Sequence, residues 1–265
     1  MNSTASAGQV QCEIDQAIAW VTLSNPGKLN ALSVNMWRSL QQIFERLAQD
    51  DTVRCVVVRG EGGNFAAGAD ISEFPQARAD YDGVYAYHVE MIAPALRAIA
   101  RCPHPVLAQI DGVCVGGGLE VASQCDLRIA GESARFGVPI TRLGFSMAPH
   151  EMQGLLALVG KATTLEILYE GRVFAAAEAQ AKGMLNRVVP DADVADAVRQ
   201  SAARILRGSP IAARLNKHVA NLLSQDGVDL DAEQLRSCFA YADTHDHKEG
   251  VRAFLAGEEP VFQGA

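Results

Sequence analysis

Residues 110–139 read IDGVCVGGGLEVASQCDLRIAGESARFGVP, and this stretch places a glycine-rich loop between a strand and a helix. The short apolar run at residues 106–110 predicts the strand, and residues 119–123 have the pattern of a helix. Three successive glycines (116–118) between them allow a ligand to approach the backbone closely. The free amides and the dipole at the start of the helix favour negative charge at this loop.

A second loop of the same kind lies upstream, where residues 65–71 read FAAGADI after a β-branched run at residues 53–58. Asp70 followed by Glu73 matches a capping box, which predicts a helix beginning at Asp70. The amide of Ala69 would then lie at a helix N-terminus, free to donate outward. Two such loops aimed at one point would form an oxyanion hole, which stabilises an enolate or a tetrahedral oxyanion.

Other interpretations of these loops fit less well. A single glycine-rich loop between a strand and a helix is more often a simple turn than a site. Neither loop spells the dinucleotide fingerprint GxGxxG, and neither contains the lysine of a phosphate-binding P-loop. No Ser–His–Asp arrangement accompanies the glycines, which disfavours a serine peptidase. The pair of loops therefore favours oxyanion chemistry over nucleotide binding.

The periodicity of the chain predicts two parts. Strand and helix signals alternate as far as Pro190, which predicts an α/β core over residues 1–190. Within this core, residues 81–100 are predicted to be helical, with a kink or an irregularity at Pro94. Strand signals then stop, and residues 191–265 are predicted to form a C-terminal helical region that serves oligomerisation and covers part of the active site. Its amphipathic helices are predicted at residues 194–206, 211–223, 230–241 and 246–255.

Composition and charge exclude several classes of protein. The chain has 265 residues and a net charge of −8, and a nucleic-acid surface would need a basic stripe instead. No apolar run is long enough to span a membrane, and residues 1–8 lack the pattern of a signal peptide. The 6 cysteines form no CxxC pair. We expect free thiols and a cytoplasmic location.

FAAGADI and residues 110–139 resemble the enoyl-CoA hydratase/isomerase (crotonase) family. The resemblance continues through residues 26–32, 183–189 and 249–255, and so covers nearly the whole chain in order. It implies an α/β fold, a crotonase-like spiral of ββα turns with a C-terminal helical module. It also implies a homotrimer or a dimer of trimers, and an acyl-CoA thioester as substrate. No cofactor is expected beyond the coenzyme A of that substrate, and no metal, nucleic acid or membrane partner.

The resemblance also assigns site residues. The amides of Ala69 and Gly117 would hold the thioester oxygen, and Glu120 stands at the position of one of the two catalytic glutamates of family hydratases. An alternative role for Glu120 is to cap the helix that starts near Gly117. The substrate and its coenzyme A would lie against Lys28, Leu29, Ala31, Ala67, Gly68, Asp70, Ile71, Gly116 and Ile140.

One of these positions departs from the family pattern. The second hydratase glutamate should follow the motif Phe-Gly-x-Pro at residues 136–139, but the chain has Ile140 there. Isoleucine cannot transfer a proton, so the resemblance predicts a hydratase-like enzyme that lacks one of the two usual glutamates. Pro149 predicts a helix start, with His150 and Glu151 in its first turn. Either could replace the missing acid, although a solvated helix start is the more common role.

Three functions remain open at this stage. The first is a lyase or isomerase that uses Glu120 and the oxyanion hole. The second is a thioester hydrolase of the same fold, and the third is a CoA-ester-binding subunit without catalysis, which Ile140 would explain. His245, Asp246 and His247 could suggest a metal site, but no matching third ligand is apparent, which favours a polar helix start. Tyr85, Tyr87 and Met91 fall near helical spacing and either pack in the core or line an acyl pocket, with packing favoured.

Overall fold

The computed structural model describes residues 8–224 and 229–265. The N-terminal segment expected not to be a signal peptide therefore lies outside the described residues, apart from Gly8. The strands are β1 Gln9–Asp15, β2 Ile18–Ser24, β3 Cys55–Gly60, β4 Val106–Ile110, β5 Val113–Val115, β6 Leu127–Gly131, β7 Arg135–Gly137, β8 Phe174–Ala175 and β9 Arg187–Val189. The α-helices are α1 Val34–Leu47, α2 Phe74–Ala77, α3 Tyr81–Tyr85, α4 Ala93–Arg101, α5 Gly117–Gln124, α6 Pro149–Glu170, α7 Ala176–Ala181, α8 Val194–Leu206, α9 Pro210–Leu223, α10 Ala232–Ser237 and α11 His245–Ala256.

The strands form two sheets in the described part of the chain. The larger has the order β1-β2-β3-β4-β6-β9, and all its pairs are parallel except the β1–β2 hairpin. The smaller has the order β5-β7-β8. An isolated bridge between Ala66 and Cys114 joins the loop at residues 65–71 to β5. The chain thus moves repeatedly from the large sheet to the small one and then into a helix, in agreement with the predicted mixed α/β fold.

Alternation of side chains along the buried strands gives the large sheet two apolar faces. Val56 and Val58 belong to the main core, whereas Cys55 and Val57 point to the opposite face, as the period of two requires. Helix α8 covers that second face with Val198. A segment of the region predicted to begin at residue 191 therefore packs directly on the sheet, while its role in oligomerisation stays a prediction.

The helix predicted at residues 81–100 has a wider π-helical turn inside it. Helices α3 and α4 are continuous through the π segment Ala86–Ile92, which ends just before Pro94. Proline has no N–H, and its ring would clash with the carbonyl of Glu90 in a regular α-helix. The wider turn relieves this clash, so the helix continues past Pro94 with an irregularity, one of the two outcomes predicted there. Side chains within this segment, including His88, therefore differ in direction from those of a regular α-helix.

Two other helices differ from their predicted extent. Helix α6 is 22 residues long, although only its first turn was predicted, and Gly160 breaks it with φ of 72°. Helix α10 is shorter than predicted, because turns replace it from Cys238 onward. All 6 cysteines are free thiols, as predicted. None of the helices in the described ranges combines the length and the apolar character that crossing a membrane demands.

The cluster at the start of α11 anchors the C-terminal tail. Asp246 is 1% exposed and accepts hydrogen bonds from the hydroxyl of Ser209 and from the amides of Gln263 and Gly264. Burial alone would raise the pKa of Asp246, but these hydrogen bonds outweigh it and lower the pKa. The helix start is polar, as predicted, and its acidic residue Asp246 is buried and hydrogen-bonded.

Protonation of Asp246 at low pH should weaken the attachment of the C-terminal tail. A carboxyl group whose pKa is lowered by folding stabilises the protein above its unfolded pKa of about 3.9, and this contribution is lost as the pH falls through the folded value. We expect Asp246→Asn to lower the melting temperature at pH 7, with a difference from wild type that shrinks steadily below pH 4. Thermal unfolding of both proteins across that range measures it. An equal difference at pH 7 and at pH 3 would contradict the role of the charge.

Candidate active site

The two glycine-containing loops lie side by side, and each places a backbone amide at the same cavity. Leu32 bonds both sides of Ala69: its amide donates to the carbonyl of Gly68 (2.7 Å) and its carbonyl accepts from the amide of Asp70 (2.9 Å). The amide of Ala69 is therefore turned away from Leu32. Gly117 is the first residue of α5, so its amide has no acceptor within the helix. Ala69 and Gly117 line the same cavity.

Glycines at this junction satisfy specific steric requirements. Gly116 has φ of 53° and ψ of −122°, a conformation that side chains disfavour strongly. A Cβ atom on Gly118 would lie 2.3 Å from the carbonyl oxygen of Ala66. The glycine run predicted from the sequence thus permits both the sharp entry into α5 and its contact with the neighbouring loop.

A cavity with an empty volume of about 630 Å³ opens beside the two amides. Large apolar and aromatic side chains form much of its wall, namely Trp37, Phe74, Tyr87, Ile92, Ile140, Leu143 and Phe145. Charged or titratable side chains also line it, namely Arg78, His88, Glu120 and Glu151. The cavity is thus mostly apolar, with a small set of polar groups.

Glu120 lies in the first turn of α5, and its side chain lines the cavity. It is 6% exposed, and its carboxyl group forms no hydrogen bond with any residue that the structure describes. The capping role considered for it is therefore wrong. Burial, together with repulsion from Glu151, raises the pKa of Glu120 well above its usual range. Glu120 is thus a carboxylic acid that retains its proton far more readily than an exposed glutamate.

Glu151 is the second carboxyl group of the cavity. It is 3% exposed, and one of its oxygens lies 2.5 Å from Nδ1 of His88. Its other oxygen accepts from the amide of Ala148 at 3.3 Å, at the N-terminus of α6. The prediction of a solvated helix start is wrong for Glu151. His150 is half-buried and does not line the cavity.

His88 was not predicted as a site residue. It belongs to the π segment, and only Pro94 signalled an irregularity there. Among the residues predicted to pack, Tyr87 is buried and lines the cavity, Met91 packs against the core and Tyr85 is exposed. The π segment therefore supplies two cavity residues, Tyr87 and His88.

The structure separates the predicted substrate-binding residues into two groups. Ala67, Gly68, Ile71, Gly116 and Ile140 line the cavity together with the two amides. Lys28, Leu29, Ala31 and Asp70 do not line it. The ammonium group of Lys28 is paired with Asp70 at 2.6 Å, and the carbonyl of Leu29 accepts from the amide of Ala67 at 3.0 Å.

The predicted capping box at Asp70 does not form. The side chain of Asp70 caps a short 3₁₀ helix, Ile71–Glu73, by accepting from the amide of Ser72. Glu73 instead accepts from the amide of Val34 at 2.7 Å, at the start of α1. This hydrogen bond ties the segment that follows the loop at residues 65–71 to α1. The described residues contain no group of His, Cys, Asp or Glu side chains suited to a metal ion.

Comparison with known proteins agrees with this architecture. The sequence model of the family described as enoyl-CoA hydratase/isomerase matches residues 13–265. The solved structure of an enoyl-CoA hydratase/carnithine racemase from Magnetospirillum magneticum has a TM-score of 0.94 and 41% identity, covering 97% of this chain and 96% of that one. An enoyl-CoA hydratase from Bacillus anthracis has a TM-score of 0.87 and 29% identity, covering 97% and 100%. The (E)-benzylidenesuccinyl-CoA hydratase of Thauera aromatica is 31% identical over 262 residues, 97% of this chain and 99% of that protein.

The fold and the site together define an enzyme of the lyase or isomerase type. More particularly, the chain belongs to the enoyl-CoA hydratase/isomerase family. The crotonase-like fold predicted from the two loops is therefore confirmed.

Proposed function

We propose that the protein adds water across the α,β double bond of an enoyl-CoA thioester, with Glu120 and Glu151 as its two proton-transferring groups. The observation that carries this proposal is the burial of Glu151 in the cavity that also holds Glu120 and the two amides. Position 140 supplies no carboxylate, but the cavity contains two carboxyl groups nonetheless. The name of the relative from Thauera aromatica supports hydration as the reaction.

In this proposal, the amides of Ala69 and Gly117 hold the thioester oxygen. As water adds to the β carbon, the electrons of the double bond move toward the thioester and give an enolate. Two preorganised donors stabilise the negative charge on the enolate oxygen more than they stabilise the neutral carbonyl. The coenzyme A part would follow the backbone near Lys28, Leu29 and Ala31, as the resemblance implies.

The two carboxyl groups divide the proton transfers. Glu151 accepts one proton from the attacking water, because His88 and the amide of Ala148 hold its two oxygens in place beside the cavity. Glu120, which holds its proton through burial, donates that proton to the α carbon. The product gains one hydrogen and one hydroxyl group, and a proton then passes from Glu151 back to Glu120.

We also propose that copies of this chain assemble into an oligomer. Helix α11 exposes large apolar side chains, with Phe254 85% exposed and Leu255 80% exposed. Exposed apolar surface of this kind is typical of an interface. It supports the homotrimer or dimer of trimers that the resemblance implies. A cytoplasmic location likewise remains part of the proposal and fits the free thiols.

A panel of enoyl-CoA thioesters in water labelled with oxygen-18 tests the function. Hydration leaves the thioester intact and adds the mass of one labelled water, whereas hydrolysis releases free CoA and a labelled acid. We expect labelled 3-hydroxyacyl-CoA from at least one member of the panel. Release of free CoA as the main reaction would show a hydrolase instead. Double-bond migration without uptake of label would show an isomerase, and binding without any turnover would show a subunit that lacks catalysis.

The oxyanion hole can be tested at Gly117. Proline is tolerated at the first position of a helix, where its missing N–H breaks no helical hydrogen bond. Gly117→Pro should therefore retain the fold and lower kcat by about 10²–10³, the usual effect of losing one oxyanion donor. Steady-state kinetics with the best substrate of the panel measures this.

Gly117→Ala is the matched control for this variant. It adds a Cβ 3.0 Å from Cζ2 of Trp37, as proline also would, but keeps the amide. We expect the alanine variant to retain far more activity than the proline variant. Equal losses in the two folded variants would assign the effect to crowding against Trp37 and would contradict the role of the amide.

A further inference from the structure

Arg78 has an unusual setting in the wall of the cavity. It follows α2 and is half-buried. Its guanidinium carbon lies 4.4 Å from the centre of the Phe74 ring and 4.3 Å from that of Phe145. In residues 8–224 and 229–265, the guanidinium group forms neither an ion pair nor a hydrogen bond with another side chain. Its five N–H donors are therefore available to a ligand.

Arg78 lies on the side of the cavity that holds Glu120 and Glu151, the two proposed proton-transferring groups. Its guanidinium carbon lies 5.7 Å from the centre of the Tyr87 ring. Burial raises the pKa of the Tyr87 hydroxyl, and the charges of Glu120 and Arg78 also act on it, in opposite directions. Glu120 and Arg78 are therefore both near Tyr87. Lys28 and Leu29, where the resemblance places coenzyme A, do not line this cavity.

Tyr87 provides a second polar group at this place. Its hydroxyl is buried, and the indole N–H of Trp37 is near enough to the hydroxyl oxygen to counter part of the rise that burial causes in the pKa of Tyr87. The hydroxyl proton, however, has no acceptor among the residues that the structure describes, and a buried donor without an acceptor is uncommon and costs free energy. A ligand atom that accepts from both Arg78 and Tyr87 would satisfy the two together. A carboxylate has this property, because its two oxygens accept several hydrogen bonds and pair well with a guanidinium group.

From these contacts we propose that the acyl group of the substrate carries a second, free carboxylate, which Arg78 binds with help from Tyr87. This inference rests on the proposed function for the identity of the ligand as an acyl-CoA. The substrate class is thus a CoA monothioester of an unsaturated dicarboxylic acid. An apolar acyl chain would leave the charge of Arg78 facing carbon atoms. An anionic acyl chain without Arg78 would face the acidic groups Glu120 and Glu151, with the side chain of His88 already engaged by Glu151.

Binding of saturated thioesters tests this proposal without any need for turnover. Succinyl-, glutaryl- and adipyl-CoA are each paired with a neutral analogue of the same shape, in which two methyl groups replace the carboxylate oxygens. The analogues are 4-methylpentanoyl-, 5-methylhexanoyl- and 6-methylheptanoyl-CoA. Calorimetry should show that, in at least one pair, wild type binds the carboxylate member about 10- to 100-fold more tightly, the range for hydrogen bonds to charged groups.

Arg78→Met should abolish that preference while retaining the fold, since methionine still fills the space between Phe74 and Phe145. Binding of the neutral analogues should change less than about 3-fold, because they make no charged contact with Arg78. Arg142→Met is the matched control. Arg142 is exposed and does not line the cavity, so its loss removes the same charge from the protein without touching the ligand. We expect this control to keep the wild-type preference.

The contrary outcomes are distinct. No preference for the carboxylate member in any of the three pairs would overturn the proposal. Equal weakening of both members by Arg78→Met would show that Arg78 binds the phosphates of coenzyme A or only packs against the rings. Failure of the enoyl-CoA panel to be hydrated would overturn the proposed reaction, but it would leave these binding ratios intact. The two proposals can therefore fail separately.

Discussion

Replacement of Glu151 by glutamine is expected to lower kcat for hydration by about 10²–10⁴, the contribution of a positioned general base. Glutamine keeps the size of the side chain and can still accept from the amide of Ala148, so α6 should retain its start. It cannot take a proton from water. The effect should therefore fall on kcat more than on the binding of substrate. Pre-steady-state and steady-state kinetics with one good enoyl-CoA would separate the two.

His150→Gln is the matched control for Glu151→Gln. The two residues are neighbours in the first turn of α6, but His150 does not line the cavity. We expect its replacement to leave turnover unchanged within about 3-fold, as for most substitutions away from a site. If Glu151→Gln hydrates as fast as wild type, the second carboxylate is not Glu151. A large loss for His150→Gln with little loss for Glu151→Gln would transfer the role to His150.

Glu120→Gln is expected to have two opposite effects. Turnover should fall by about 10²–10⁴, because the acid that protonates the α carbon is lost. The melting temperature at neutral pH should rise. Folding raises the pKa of Glu120, so its contribution to stability is full below the unfolded value of about 4.3 and is lost as the pH rises through the folded value. A neutral glutamine avoids that loss.

The pH dependence distinguishes this account of Glu120 from a structural one. The gain in melting temperature of Glu120→Gln over wild type should be present at pH 7 to 8 and should vanish near pH 4. A variant that loses stability at all pH values while keeping its turnover would show that Glu120 only supports the helix. Thermal unfolding and kinetics on the same samples give both results.

Local sequence signals predicted the first half of the site well. The run of glycines, the apolar strand before it and Glu120 after it are all within residues 106–120, so short-range rules place them together. The free amide of Gly117 follows directly from its position at the start of α5. Ile140 was also predicted to line the cavity, and it does. At position 140, the sequence indicated that the glutamate usual in family hydratases is absent.

Long-range packing decided the rest. Glu151 faces the cavity because of the direction in which α6 leaves Ala148, and the sequence contains no signal for that direction. His88 meets it from a π segment, whose rotation of the side chains depends on how the helix accommodates Pro94. Glu73 matched a local capping box but caps α1 instead, and the amide of Asp70 that it would have accepted from donates to the carbonyl of Leu32. Periodicity reports which residues are buried, but it does not report which buried residues meet.

The rate of the double variant Glu120→Gln, Glu151→Gln shows whether the two carboxyl groups act as one catalytic pair. Two groups that act in the same proton-transfer sequence are strongly non-additive, because removing either already disables the step. We expect the double variant to hydrate the substrate about as slowly as the slower of the two single variants. A double variant whose loss equals the product of the two single losses would show that Glu120 and Glu151 act independently, and it would contradict the claim that they form one catalytic pair.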